Sequence, residues 1–113
     1  MESNIEFIKN AGGSITSKNV LEKNGRIKWL FREEPIDAID NGWRVLSDID
    51  DDEYINNPKN MVVCNFNTLI NIEPALMGIY LLPIGSDIRI VEEDSKIMFY
   101  DNITEEIIEP KYE

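Results

Sequence analysis

The sequence predicts an α+β fold with a mostly antiparallel sheet, and two observations support this prediction. Segments with the alternating pattern of strands lie on both sides of the chain's middle, at 26–32 and 88–100. Between them, residues 65–83 have the apolar spacing and the prolines typical of two short helices inserted between strands. The 113 residues, 42% of them hydrophobic, predict a single domain spanning residues 1–113.

The N-terminal residues predict short elements only. Residues 1–12 are compatible with a short helix, because Ile5 and Ile8 have helical spacing and two glycines end the pattern. Residues 14–16 predict a short strand. The next six residues fit either one helical turn capped by Ser17 or a continuation of that strand, and we favour the turn.

The clearest strand spans residues 26–32. Its apolar side chains alternate with charged ones, with Leu30 as the exception to the pattern. We therefore predict that Trp29 and Phe31 lie in the core, where each would bury about 150–250 Å² of surface. Arg32 is predicted on the solvent face, either paired with an internal acid, which we favour, or shaping a binding surface.

A second strand, residues 42–47, places Trp43 and Val45 on one face. For Trp43 the first interpretation is packing in the core. The alternative is an aromatic anchor beside the charged rim of a binding surface.

The remaining residues predict the rest of the sheet and both helices. Residues 61–64 are a short apolar strand, Asn65 caps a helix, and Pro74 opens a second one. Residues 88–100 form a hairpin, and the acidic tail from residue 101 carries isoleucines that can dock on the sheet.

The charge distribution favours a basic partner. The chain holds 22 acidic and 11 basic side chains, a formal net charge of −11. Residues 33–53 hold nine acidic side chains against Arg44 alone, a net charge of −8, so the sequence centres the negative charge on either side of Trp43. Nucleic acid is therefore disfavoured as a direct partner, whereas a basic protein would associate faster.

Several classes of chemistry are excluded by composition. The chain has no histidine, so neither a Ser-His-Asp nor a Cys-His catalytic unit can form, and a single cysteine leaves no thiolate zinc site. The best enzymatic alternative is a hydrolase with paired carboxylates, but adjacent acids on one turn have no means of separating their pKa values. We predict no enzymatic activity, no cofactor and no metal.

The acid cluster at residues 48–53 does not match a calcium-binding loop. With Asp48 as the first position, the sixth is Glu53 where glycine is required, and the twelfth is Lys59 in place of glutamate. The cluster is then either a solvated turn, the usual explanation for a charge run, or a surface for a cationic partner.

The chain carries no signal for export or membrane insertion. Its N-terminus lacks the basic and apolar regions of a signal peptide, and no apolar run approaches the roughly 20 residues needed to span a bilayer. The lone Cys64 follows an apolar run and suits a buried thiol in a reducing compartment. We therefore expect a cytoplasmic protein.

Several spaced motifs together resemble the Imm33 immunity-protein family, also described as the domain of unknown function DUF2185. The resemblance covers roughly residues 14–100, and the family commonly has serine where this chain has Asn41. Its motifs are Arg32-Glu33-Glu34-Pro35, Asn41-Gly42-Trp43-Arg44 with Leu46-Ser47, Asp50 to Tyr54, Asn67-Thr68 with Ile72-Glu73-Pro74, and Pro83-Ile84-Gly85-Ser86.

The resemblance implies a bacterial immunity protein that binds and neutralises the toxin domain of a polymorphic toxin system, and it supplies no catalytic residues. We predict that an acidic surface covers the active site of a cationic toxin, for example a nuclease. The alternative is a small-ligand or cation-binding module of housekeeping or regulatory role. The predicted partner-binding residues are Glu33, Glu34, Asp37, Trp43, Asp48, Asp50, Asp51, Asp52, Glu53 and Tyr54.

Overall fold

The fold is a seven-stranded sheet with short helical segments, seen in a computed structural model that describes residues 5–110. The strands are β1 Gly13–Ser17, β2 Ile27–Arg32, β3 Asp40–Ser47, β4 Met61–Asn65, β5 Asp87–Glu93, β6 Lys96–Asp101 and β7 Ile107–Ile108. The helices are α1 Lys18–Leu21, α2 Asp52–Ile55 and α3 Phe66–Ile72, with 3-10 helices at Pro58–Asn60 and Pro74–Gly78.

The α+β class is confirmed, and the sheet is mostly antiparallel with one parallel pair. The strand order is β4-β1-β3-β2-β5-β6-β7, and β1 runs parallel to β3. All five other pairings are antiparallel. The predicted hairpin forms, with Asp94 and Ser95 at positive φ in the two-residue turn between β5 and β6.

The short elements have the caps that the sequence predicts. The Ser17 side chain accepts a hydrogen bond from the Asn19 amide at the start of α1, so the turn is confirmed over the continued strand. Asn65 caps α3 in the same way, through the Asn67 amide. The segment opened by Pro74 is helical, but of the tighter 3-10 type.

The predicted N-terminal helix is not found where the structure can test it. Residues 5–12 form no helix, although Lys9 and Asn10 lie in a turn, and residues 1–4 lie outside the described residues. Asn67 of α3 holds this segment instead: its side-chain carbonyl accepts from the amides of Phe7 and Ile8, and its amide donates to the Ile8 carbonyl. Bonds to a distant side chain therefore replace the local ladder of a helix.

The prediction for Trp29 and Phe31 is wrong, because β2 contains a bulge. Ile27 pairs with Ser47 and Trp29 pairs with Leu46, so an advance of two residues along β2 matches an advance of only one residue along β3. The bulge inverts the alternation, which places Leu30 fully in the core and leaves Trp29 38% exposed on the opposite face. Phe31 is partly buried on that opposite face, which is here called the open face.

The core lies on the other face of the sheet, under α3 and the Pro74–Gly78 helix. Trp43 is fully buried there, with its ring 6.3 Å from that of Phe66, which in turn lies 4.8 Å from Tyr80. Trp43 Nε1 donates to the Tyr80 carbonyl at 3.2 Å. The interpretation of Trp43 as a core residue is therefore the correct one.

Arg32 follows the inverted alternation and also faces the core side. Its guanidinium lies 5.6 Å from the Trp43 ring and donates to the carbonyls of Asn41 (2.9 Å), Leu82 (2.7 Å) and Tyr80 (3.3 Å). The predicted pairing with an acid is wrong: in the described residues Arg32 binds backbone carbonyls, which ties β2 to the residues after the Pro74–Gly78 helix.

Gly42 has a positive φ of +89°, and a Cβ there would lie 2.2 Å from the Glu33 carbonyl oxygen. That close approach accompanies the hydrogen bond from the Glu33 amide to the Gly42 carbonyl at the end of the β2–β3 pair. Only glycine fits this position, because a side chain would meet both an unfavourable φ and a backbone atom.

We predict that Gly42→Ala lowers the free energy of unfolding by about 3 kcal/mol or more, from strain plus the clash. Urea unfolding measures this as a lower midpoint. Gly85→Ala is the matched control, because Gly85 has φ +99° but open space around it, and should cost about 1–2 kcal/mol. Equal losses in the two variants would contradict the role given to the Glu33 carbonyl.

Candidate partner-binding surface

The acidic residues 33–53 form two groups at opposite ends of β3, in the loop and the turn on either side of Trp43. The first group is residues 33–39, here called the acidic loop, and the second is residues 48–53, here called the acidic turn. β3 runs between them from Asp40 to Ser47, so at about 3.3 Å per residue they are separated by roughly 23 Å.

The acidic loop is anchored by Arg44. The Arg44 side chain is only 6% exposed and donates to both Asp40 oxygens at 2.9 Å and to Glu33 at 2.7 Å. Asp40 is similarly buried, whereas Glu33 is 56% exposed. These three side chains, here called the Arg44 cluster, fix both ends of the loop to the open face.

The Arg44 cluster perturbs the ionisation of its members. Hydrogen bonds from Arg44 hold the pKa of Asp40 well below its usual range, against the opposing effect of burial, with help from the amides of Ile36 and Gly42. The same pair raises the pKa of Arg44. Both groups are therefore charged at neutral pH.

The acidic loop has a defined conformation and presents apolar side chains as well as acids. Asp37 accepts from the amides of Ile39 (3.0 Å) and Asp40 (2.8 Å), and Asp40 accepts from Ile36 (2.9 Å). Ile36 and Ile39 are 75% and 71% exposed. A loop held by its own hydrogen bonds loses little entropy when a partner binds.

In the acidic turn, most carboxylates have local structural partners. Asp48 accepts from the Arg26 amide at 3.0 Å, and Asp51 caps α2 by accepting from the Tyr54 amide at 2.8 Å. Asp52 and Glu53 follow in the first turn of α2, where acids stabilise the helix dipole. Folding therefore accounts for many of these acids.

Asp50 is the least available acid of the turn. It is half-buried and accepts from the Ser47 amide and from Asn19, each at 2.7 Å. Burial raises its pKa, but the hydrogen bonds from Ser47, Asn19 and Ser17 outweigh that effect and lower the pKa overall. Asp50 holds α1 to the end of β3.

The predicted site residues divide by exposure. Trp43 is in the core and cannot reach a partner, and Tyr54 is half-buried. The exposed acids are Glu33, Glu34, Asp37, Asp48, Asp51, Asp52 and Glu53. The sequence reasoning missed Ile36 and Ile39; their position inside an acid-rich loop between two strands was the available signal, because such a loop has no core to enter.

Two other features bear on small ligands. Within residues 5–110, no group of three potential ligands converges on a metal position. A cleft of about 680 Å³ opens beside α1 and the β2 bulge, with apolar walls that include Ile27 and Ile90 and charged groups that include Lys23, Lys28 and Asp48.

In the same described part, no helix is long and apolar enough to cross a bilayer.

We predict that Asp40→Asn lowers stability at pH 7 by about 2–3 kcal/mol, because it weakens charged hydrogen bonds to a buried arginine. Since folding lowers the Asp40 pKa, its contribution is complete above the unfolded value near 3.8 and is lost as pH falls towards the folded pKa. Chemical unfolding between pH 3 and 7 should therefore show the wild-type advantage shrinking below about pH 4.

Glu33→Gln serves as the control for that experiment. The Glu33 carboxylate is more than half exposed, so its removal should cost less than about 1 kcal/mol. A wild-type advantage over Asp40→Asn that stays constant down to pH 3 would contradict the ion-pair explanation.

Comparison with known proteins gives one match. A sequence model described as the Immunity protein Imm33 domain matches residues 14–100, which include β2 to β5 and most of β1 and β6. No curated protein and no solved structure shows significant similarity to the chain. The matched region contains the Arg44 cluster, the acidic loop and the acidic turn. The chain belongs to the Imm33 family of immunity proteins.

Proposed function

We propose that this protein is a stoichiometric inhibitor that binds a cognate toxin domain with a basic surface, such as a nuclease, and has no catalytic activity of its own. The match to the Imm33 domain over residues 14–100 is the observation that carries the proposal. The family is one of toxin-neutralising immunity proteins, and the net charge of −11 supports a basic target.

The acidic loop and the acidic turn are proposed as the charged contacts. Seven of their carboxylates are exposed, and hydrogen bonds hold two of them, those of Asp37 and Asp51, in place before a partner arrives. Prepositioned charges of one sign speed association with a partner of opposite sign and orient the encounter. If the toxin binds the phosphate backbone of a nucleic acid, the exposed carboxylates of this protein would mimic the phosphates of that substrate.

A single interface can include both groups. A standard protein interface buries about 800 Å² on each partner, which corresponds to a patch roughly 30 Å across. The separation of roughly 23 Å along β3 fits inside such a patch. We therefore propose that both groups border the same toxin, at opposite edges of one contact surface.

The alternative function, a small-ligand module, is supported by the cleft beside α1. Its volume of about 680 Å³ lies in the range of ligand sites, at roughly 300–1,000 Å³. Its walls carry cations and carboxylates in similar number, so it suits a zwitterionic ligand better than a simple anion.

The test is binding between this protein and the toxin domain encoded beside its gene, inactivated by mutation, measured by calorimetry and stopped-flow kinetics at low and high salt. We expect tight one-to-one binding. Two charge-neutralising variants, Glu34→Gln/Asp37→Asn and Asp52→Asn/Glu53→Gln, each remove two negative charges. Each should slow association roughly five-fold or more at low salt and weaken its salt dependence.

The matched control is Glu22→Gln/Glu106→Gln, which removes the same net charge at two exposed acids outside both groups and should change the rate less than about two-fold. Equal slowing by all three variants would show a net-charge effect and contradict the assigned surface. No binding by the wild type would contradict the proposed function and favour the ligand module.

A further inference from the structure

We propose that the open face of the sheet, centred on Trp29 and Phe31, is the apolar centre of the toxin interface. This inference rests on the proposed function, and it names the surface and the kind of partner that the function requires. Trp29 pairs with Leu46 and Phe31 pairs with Arg44, so both aromatics lie between the two acidic groups at the ends of β3.

The open face carries a continuous set of partly exposed apolar side chains. On β5 to β7, Tyr100 pairs with Arg89 and with Ile107, in the same cross-strand row as Trp29. Helix α3 and the Pro74–Gly78 helix bury their apolar side chains with Trp43 in the core on the opposite face. Strongly exposed members of the open face include Ile107 at 53% and Val63 at 69%.

The acidic loop joins this face directly. Ile39 and Val63 both lie over Gly13, where a Cβ would stand 3.7 Å from Ile39 Cγ2 and 2.7 Å from Val63 Cγ1. Ile15 then links Val63 to Arg44 across the strands. The exposed isoleucine of the loop and the aromatic centre therefore belong to one surface.

The composition of the face is that of a binding hot spot. Tryptophan, tyrosine and arginine dominate the energetics of interfaces. On this face, a cationic side chain already lies against each of two aromatic rings. The Lys28 ammonium lies 5.5 Å from the Trp29 ring, and the Arg89 guanidinium lies 5.1 Å from the Tyr100 ring. The β2 bulge turns Trp29 out of the core, an arrangement that folding alone does not favour for the largest apolar side chain.

Charge complementarity selects a basic partner over a second copy of this chain. Both arginines of the face are paired with carboxylates, Arg44 in its cluster and Arg89 with Glu105 at 2.9 Å. The exposed charges that border the face include the acids Glu34, Asp37 and Asp87. Two copies would bring such acidic borders together, whereas a basic toxin surface around an apolar anchor would complement them.

The first test uses the wild-type protein labelled with fluorotryptophan, whose two tryptophans give two fluorine NMR signals, assigned with Trp29→Phe. A soluble paramagnetic agent should broaden the Trp29 signal and leave that of buried Trp43 unchanged. Addition of the inactivated toxin domain should shift the Trp29 signal and remove its broadening.

Binding with the Trp29 signal still broadened would overturn the open-face interface while leaving the proposed function intact. Absence of binding would overturn both. Protection of Trp29 in the free protein, together with a dimer in sedimentation, would assign the face to self-association and overturn the inference.

The second test compares Trp29→Ala with Leu81→Ala. Leu81 is 45% exposed and follows the Pro74–Gly78 helix in the layer over the other face. Loss of a hot-spot residue should weaken binding roughly 30-fold, whereas the control should change it less than about three-fold. Thermal unfolding of both variants gives the fraction of each that is folded at the temperature of the binding experiment. Equal affinities for the two folded variants would overturn the inference.

Discussion

The Arg44 guanidinium is the constraint on which one end of the molecule depends. A buried arginine cannot lose its charge, so the fold must supply carboxylates within hydrogen-bonding distance. Asp40 and Glu33 do so from the two ends of the acidic loop. The loop is thereby fixed against the sheet, and Gly42 is required beside it because the Glu33 carbonyl occupies the space of a side chain.

The same end of the sheet is tied to the helical layer by Arg32. This guanidinium donates hydrogen bonds to three backbone carbonyls and stacks on Trp43, so it joins β2 to β3 and to the residues after the Pro74–Gly78 helix. The residues that carry the family resemblance at 32–35 and 41–44 therefore build a scaffold. In the proposed function, their contribution to binding is to hold the acidic loop in one conformation.

The charges of this protein contribute to its folding, and in the proposed function the same groups contribute to recognition. Asp50 and Asp51 support α1 and α2 through hydrogen bonds, and Asp52 and Glu53 stabilise the start of α2, yet most of these acids keep exposed oxygens. A partner with a basic surface can bind them without breaking any bond of the fold. Such rigidity suits an inhibitor, because its affinity is not reduced by the cost of ordering the surface.

The sequence by itself determined the class of the fold, most strands, the caps of α1 and α3, and the acidic character of the surface, because local periodicity and side-chain chemistry encode them. The tertiary structure decided which face each β2 residue occupies, since a one-residue bulge depends on pairing with β3, and its local signal is only the break in alternation at Leu30. It also decided that residues 33–53 form two groups and not one, because a buried strand separates them. Neighbours in sequence become distant in space whenever an extended strand lies between them.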